Sequence, residues 1–319
     1  MTPQPLSIVR LAAITMALMI LTACITTTVG NDVEQGPQNA SKLITKDSSW
    51  TLRLPEEEKV LYKGVVNFDG AGGNTGSMLY PAPNAAGFVA AVITHGILNE
   101  SVKNSQKNKL QEAADKVLLP YQPVLASYSH KDLMQRGLEK IPTSGNKKLV
   151  EFSEKPDANW SVESMPVFLI TQDQSAIILE NSISIYAPGA KSAAVYQSTV
   201  KIVSQPKSAT DLTSFWTADN GKKLKEESVD LFAQSVDIAL REAANMANPN
   251  NNAHKTFRYL EGGAKKTERG QLISEQCDRV IIKTLRGTPM SIPTQRDPTI
   301  SPATDQCRHD SSNLKQPMP

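Results

Sequence analysis

The chain has 319 residues, a formal net charge of +2 at pH 7 and a hydrophobic content of 39%. This length allows one domain, or two small ones, to bury a proper core. The charge is close to neutral and is not gathered into a basic block, which excludes the electrostatic footprint of a nucleic-acid-binding protein.

Residues 1–23 have the features of an export signal. Arg10 is the only charged side chain before Cys24, and residues 11–21 form an almost unbroken apolar run. The run is shorter than the stretch of about 20 apolar residues that a permanent membrane helix needs. A charged start, a short apolar core and small residues at the exit together predict a signal peptide that is removed.

The exit of this segment, Leu21-Thr22-Ala23-Cys24, resembles the lipobox of bacterial lipoproteins. The resemblance implies that the Cys24 sulfur receives a diacylglycerol, that the chain is cut before Cys24, and that acylation, for example with palmitate, completes the anchor. Each buried methylene group adds about 0.8 kcal/mol, so the mature protein would be held stably at a membrane. Ile25 stands where an Asp would resemble an inner-membrane retention signal, which favours the periplasmic face of the outer membrane. The alternative is an ordinary signal peptide cut after Ala23.

Two cysteines are left once Cys24 carries the lipid, namely Cys277 and Cys307. An even pair in an exported chain predicts a disulfide bond. The bridge would close a loop of about 30 residues and contribute on the order of 3 to 4 kcal/mol in the chain-entropy model. A metal site at Cys307 and His309 lacks the second pair of ligands that structural zinc requires, so no metal is predicted.

Residues 24–49 are rich in Thr, Asn, Gln, Gly and Ser, which predicts a flexible tether behind the lipidated end. Residues 59–68 have strand composition, and a cluster of glycines follows in residues 69–77. The cluster lacks the third glycine of a dinucleotide fingerprint and the Gly-Lys-Ser/Thr of a P-loop. We therefore predict a surface loop rather than a nucleotide site, and no cofactor.

Residues 85–98 are the most apolar stretch after the signal, and helical spacing continues beyond them. A helical subregion is predicted over residues 84–140, with a short helix over 129–140. The apolar stretch is interpreted as a helix buried against a sheet, as a surface for an envelope protein partner or self-association, or as a shallow membrane insertion. The candidate partner surface consists of Phe88, Val92, His95 and Gly96.

Three β-branched segments in the middle of the chain are joined by short links and predict an antiparallel meander. They are residues 166–171, 176–186 and 193–204. Residues 222–246 have apolar side chains on one face and charged ones elsewhere, which predicts a long amphipathic helix packed on the sheet. Residues 271–274 and 279–285 predict further strands, the second being the last member of the sheet.

This order of elements predicts an α+β fold in which helices pack on an antiparallel β-meander sheet. A single domain is predicted over residues 50–286, and the Pro-, Ser- and Thr-rich residues 287–319 predict an extended tail. In element order alone, the chain is similar to the periplasmic α/β domains of the Tol system and of secretion-channel lipoproteins.

The sequence lacks the common motifs of zinc hydrolases, α/β-hydrolases and Cys-x-x-Cys redox enzymes. Its four histidines are scattered, at positions 95, 130, 254 and 309. No residue is therefore assigned as catalytic, which favours a binding or scaffolding component of a periplasmic or outer-membrane complex. The alternative is an envelope enzyme that acts on glycan or lipid, with a site around His95, His130 or the glycine loop.

Overall fold

The fold is a mixed, mostly antiparallel sheet with helices packed on it, which confirms the predicted α+β class. The sheet has ten strands in the part of the chain that the computed structural model describes. That part comprises residues 43–66, 101–154, 159–190, 193–246, 252–276 and 278–294.

The strands and helices of the described ranges have the following bounds. The strands are β1 (Trp50–Arg53), β2 (Leu61–Gly64), β3 (Lys147–Val150), β4 (Trp160–Ile170), β5 (Ile177–Tyr186), β6 (Tyr196–Val203), β7 (His254–Glu261), β8 (Ala264–Glu275), β9 (Arg279–Thr284) and β10 (Pro289–Pro293). The helices are α1 (Ser101–Asp115), a 3₁₀ helix (Lys116–Tyr121), α2 (Gln122–Leu125), α3 (His130–Lys140) and α4 (Leu212–Ala244).

The strands lie in the order β3-β1-β4-β5-β6-β10-β9-β8-β7, and β2 also pairs with β4. Strands β4, β5 and β6 pair antiparallel in chain order, whereas β1 and β2 run parallel to β4, and β10 runs parallel to β6. The prediction that the strand over 279–285 ends the sheet is wrong, because β9 lies between β10 and β8. Strand β10 occupies part of the segment that was predicted as a tail.

Buried side chains form two clusters on opposite faces of the sheet. Side chains of neighbouring strand residues point to opposite faces, so Ile202 belongs to the cluster under α4 and Val203 to the other. The first cluster contains Trp216 and Phe232 of α4, both almost fully buried. The second contains Tyr259 of β7 with residues of β9 and β10. Both faces of the central strands are therefore covered.

Helix α4 confirms the long amphipathic helix: a short first segment begins at Leu212, and the main segment follows a break at residues 218–221, so it starts where predicted, at Lys222. The Asp211 carboxylate caps the first segment by accepting the Ser214 amide at 3.0 Å. The helical path is broken at Asp219, Asn220 and Gly221, whose φ angles of 52°, 55° and 74° are left-handed. Asp, Asn and Gly are the residue types that adopt this conformation most readily, so the sequence permits a sharp break here.

Two buried hydrogen bonds set the position of α4 along the sheet. The hydroxyls of Tyr62 and Ser228 are 2.6 Å apart, and the Asn181 side-chain amide donates to the Ser235 hydroxyl at 2.8 Å. Buried polar groups require partners, and sliding the helix by one residue would take these partners from the Tyr62 hydroxyl and the Asn181 amide, whereas the two serine hydroxyls also bond to carbonyls of their own helix. The C-terminal end of α4 is thereby held over β6.

The loop between β4 and β5 contacts the helices on one side and the turn between β7 and β8 on the other. The Gln174 side-chain oxygen accepts from the hydroxyls of Tyr121 and Thr213, at 2.5 and 2.7 Å, and its backbone oxygen accepts the Trp216 indole N–H at 2.7 Å. The neighbouring Asp173 carboxylate accepts the Gly263 amide in the β7–β8 turn at 2.6 Å. This loop therefore connects the helices to the outer hairpin.

The short helix predicted over 129–140 is confirmed by α3, and the predicted helical subregion is helical from Ser101 onward for most of its length. The glycine loop 69–77 and the apolar run 85–98 lie outside the described residues. Among the helices of the described ranges, none combines the length and apolar character that crossing a membrane requires.

Candidate binding site

An opening lies where β6 and the turn between β9 and β10 separate, beneath the C-terminal end of α4. We call this opening the notch; its volume is about 360 Å³, within the roughly 300 to 1,000 Å³ typical of ligand pockets. The residues that line it are Val195, Tyr196, Gln197, Ser198, Glu242, Met246, Lys283, Gly287 and Pro289.

The notch exists because β10 accompanies only the last part of β6. The parallel pairing of these strands begins at Met290 and Lys201 and continues to Ser291 and Ile202. Residues 196–200 of β6 pair with β5 on one side, and within the described ranges no strand pairs with them on the other. The chain enters β10 from a turn in which Gly287 adopts φ +80°, so it approaches β6 only past this point.

The notch opens toward both faces of the sheet. Tyr196 and Ser198 share the face of β6 that packs under α4, where Val200 and Ile202 continue the buried row. Gln197 points to the other face, as the alternation of a strand requires. A ligand that enters the notch would therefore lie in the plane of the sheet, beside β6, and contact side chains on both faces.

Two polar side-chain atoms at the notch are shielded from solvent and have no hydrogen-bond partner among the described residues. They are the Tyr196 hydroxyl and the Gln197 side-chain nitrogen. Burial raises the pKa of Tyr196 well above its ordinary value; the nearby Ser198 hydroxyl opposes this rise, and the Glu242 carboxylate adds to it. A buried polar group without a partner costs about 1 to 3 kcal/mol, which an acceptor from a ligand would offset.

An ion pair and an exposed methionine stand on the helix side of the notch. The Lys283 ammonium of β9 lies 2.8 Å from the Glu242 carboxylate of α4, and Met246 follows one turn later with 51% of its surface exposed. The two charges neutralise each other, so the notch carries no strong net field. Its walls combine hydrogen-bonding groups with apolar surface, as recognition sites do.

The residues predicted as sites lie outside the described residues. This applies to the lipidation site Cys24, to the disulfide cysteines Cys277 and Cys307, and to the partner surface of Phe88, Val92, His95 and Gly96. The notch residues themselves were not predicted as a site. Each lies in a segment correctly predicted as strand or helix or next to one, and nothing in the local pattern indicates that these segments meet around an opening.

His130, a candidate for the enzymatic alternative, is buried away from the notch at the start of α3. Its Nδ1 lies 2.7 Å from the Glu57 backbone oxygen, and its own amide donates to the Glu58 oxygen at 2.8 Å. Burial lowers the pKa of His130, and the contact with Glu57 opposes this only in part. The Ser129 hydroxyl caps α3 by accepting the Asp132 amide at 3.2 Å. This arrangement holds a loop in place and presents no reactive group to solvent.

Known proteins add no identification to this geometry. Comparison with protein-family models, with curated proteins and with solved structures found no match. In the described ranges, no group of three or more His, Cys, Asp or Glu side chains is placed to hold a metal ion. The notch is therefore interpreted from its own contacts.

Proposed function

We propose that this protein is a lipid-anchored component of a bacterial cell envelope that binds a protein partner through the notch. The observation that supports binding is the combination, at one opening, of a strand edge and buried polar groups that find no partner in the part of the chain that the structure describes. The lipobox at Leu21–Cys24 supports the anchor. Its lipid would hold the chain at the periplasmic face of the outer membrane. The predicted tether is shorter than 24–49, because Ile44 is buried in the core and residues 43–49 belong to the folded domain; the part before residue 43 would let that domain reach a neighbour.

The groups at the notch favour recognition over chemistry. The raised pKa of Tyr196 keeps its hydroxyl protonated at neutral pH, so it donates or accepts a hydrogen bond rather than acting as a base. Lys283 is paired with Glu242 and is not poised as a nucleophile. Such groups orient a bound partner, as expected of a scaffolding or accessory protein.

Two finer structural features belong to this proposal. We propose that β4, β5 and β6 act as the meander on which the rest of the sheet is assembled. We also propose that Cys277, between β8 and β9 in the chain, bonds to Cys307 and so attaches the C-terminal segment to the sheet. Reduction of this bond should slow the protein on a non-reducing gel and lower its melting temperature; no change in either would contradict the bond.

The anchor is tested by labelling. Cells that express the full chain are fed alkyne-tagged palmitate and fractionated, and the variant Cys24→Ser is the control. We expect label and an outer-membrane location for the parent chain, and loss of both for the variant. Label that persists in Cys24→Ser would contradict lipidation at this residue.

Partner binding is tested by site-specific photo-cross-linking. A photoreactive amino acid is placed at Met246, at the notch, or at Phe152, beyond β3 at the other side of the sheet; each parent residue is 51% exposed. We expect a discrete cross-linked protein from position 246 and none from position 152. Equal patterns from the two positions, or no product from either, would count against binding at the notch.

A further inference from the structure

We infer that the notch receives a single extended peptide segment of the partner, whose backbone pairs with the open edge of β6. This inference rests on the proposed binding role and names the chemistry of the ligand. The segment would lie in line with β10, in the place that β10 leaves empty beside residues 196–200.

The open edge of β6 can form hydrogen bonds with the backbone of another segment. A strand edge presents alternating N–H and C=O groups, and an added strand satisfies them with its own main chain. At about 3.3 Å per residue, residues 196–200 match a guest segment of about four to six residues. The guest would end where Pro289, which has no amide hydrogen, begins the pairing row of β10.

The side chains along this edge are suited to pairing, unlike those of the strands at the two ends of the sheet. Strand β3 begins with Lys147 and Lys148, and the exposed start of β7 carries Lys255 and Arg258. Such charges discourage pairing with another chain. Residues 196–200 are Tyr, Gln, Ser, Thr and Val and carry no charge. The edge at the notch therefore lacks the protection that the outer edges have.

The flanking groups select an uncharged segment with hydrogen-bond acceptors. The Tyr196 hydroxyl and the Gln197 amide require acceptors on the two faces of the guest. The Met246 side chain offers apolar contact on the helix side, where Lys283 and Glu242 already neutralise each other. A charged guest residue facing this pair would have to break it.

The dimensions of the notch favour one extended segment over a second copy of the chain. The opening is bounded by the end of α4 and by the β9–β10 turn at Gly287, and its volume is about 360 Å³. The outer strands of another copy are already paired on one side and carry lysines. A folded sheet edge would therefore meet α4 and the turn before its backbone reached β6.

The experiment uses the full chain in mild detergent and a library of random heptapeptides with acetylated and amidated ends. Selected peptides are examined by hydrogen exchange, and their affinities are measured by titration. When a peptide binds, we expect slower hydrogen exchange at those backbone amides of residues 196–200 that form no hydrogen bond with β5. We also expect an N-methylated version of the same peptide, which cannot donate its backbone bonds, to bind about tenfold more weakly or worse.

Two variants separate pairing at the notch from other binding. Ser198→Lys places a charge on the open edge and should abolish binding, whereas Thr256→Lys makes the same change on the exposed strand β7 and should have no effect. Tyr196→Phe, which removes one hydroxyl, should weaken binding by about 2- to 12-fold.

Several results would overturn strand addition. They are failure to select any peptide, protection at β3 or β7 instead, equal binding of the N-methylated peptide, or a dimer that protects residues 196–200 without peptide. If position 246 still cross-links a protein in cells, the proposed function stands and only the ligand class is wrong. If peptides pair with β6 but no protein cross-links and Cys24 carries no lipid, the inference of strand addition stands and the proposed function is wrong.

Discussion

Two strand edges of this fold differ in how their backbone groups are covered. The edge of β2 that faces away from β4 is covered by α1: the Gly64 amide donates to the Asp115 carboxylate at 2.7 Å, and the Gly64 oxygen accepts from the Gln111 side chain at 3.1 Å. Among the described residues, nothing comparable covers the edge of β6 beside the notch over residues 196–200. The edge of β2 is an outer edge of the sheet that a helix closes, whereas the edge of β6 lies inside the sheet and is left open by the described residues.

The difference shows that a strand edge can be closed without another strand. Asp115 supplies an acceptor and Gln111 a donor, and a hydrogen bond of 2.7 Å between the two side chains fixes them relative to each other. Together they present to Gly64 the groups that a paired strand would present. At β6, the end of α4 lies nearby but presents Glu242 to Lys283 instead. The edge at the notch is thus open where β10 stops short of it, and no helix of the described ranges takes the place of a strand there.

The largest expected effect comes from breaking the covered edge at Gly64. A methyl group at this position would meet the backbone carbonyl of Ala114, whereas a methyl group at Gly287 in the notch would meet no atom within 4 Å. We expect Gly64→Ala to lower the free energy of unfolding by about 3 kcal/mol through overpacking. Gly287→Ala should cost only about 1 kcal/mol, for its left-handed backbone. Urea unfolding measures both, and equal losses would contradict the comparison.

The next effect comes from removing one polar group at each edge. Asp115→Ala leaves the Gly64 amide without its acceptor, so we expect a loss of about 2 kcal/mol. Tyr196→Phe removes a hydroxyl to which no described residue is hydrogen-bonded, so the free energy of unfolding should stay within about 0.5 kcal/mol of the parent. Thermal unfolding at pH 7 distinguishes the two. A large loss for Tyr196→Phe would mean that this hydroxyl is already satisfied.

Acid should lower the free energy of unfolding through His130, which lies on the same side of the fold as the covered edge. His130 holds the segment that leads into β2, and burial lowers its pKa below the ordinary value of 6.5. Below that pH the unfolded chain binds more protons than the folded one, so the stability present at pH 7 is lost as the pH falls. The loss is about 1.4 kcal/mol for each unit by which the pKa is lowered.

This dependence is measured by urea unfolding between pH 7 and pH 5.5. The variant His130→Gln should flatten the curve in that range, whereas His254→Gln, on the exposed start of β7, should leave it unchanged. If the two variants behave alike, His130 is not the titrating group.

The smallest effect concerns the ion pair at the notch. Lys283 and Glu242 are partly exposed, at 44% and 16%, so the pair should contribute about 0.5 kcal/mol. We expect Glu242→Gln to lower stability by that amount in dilute buffer and by less in 1 M salt, which screens the attraction. An unchanged difference in high salt would show that packing, not charge, is responsible.

Elements with a strong local pattern were predictable from the sequence. Helix α3 has Ser129 as its cap and apolar residues at helical spacing, and both signals lie within a dozen residues. The three strands β4, β5 and β6 are rich in β-branched residues; β5 and β6 were placed nearly correctly, whereas β4 begins at Trp160, six residues before its predicted start. Strand β7 was missed because most of its residues are polar and exposed, and its pairing with β8 and the burial of Tyr259 stabilise it.

The sequence by itself determined the α+β class and the long helix, because each depends on residues close together in the chain; lipid attachment at Cys24 stays a prediction. Only the tertiary structure decided which strand edges are covered. Gly64 meets Asp115 across 51 positions of the chain, and Lys283 meets Glu242 across 41. Such pairings depend on how whole layers pack, and no local pattern encodes them. The notch is therefore a property of the assembled sheet.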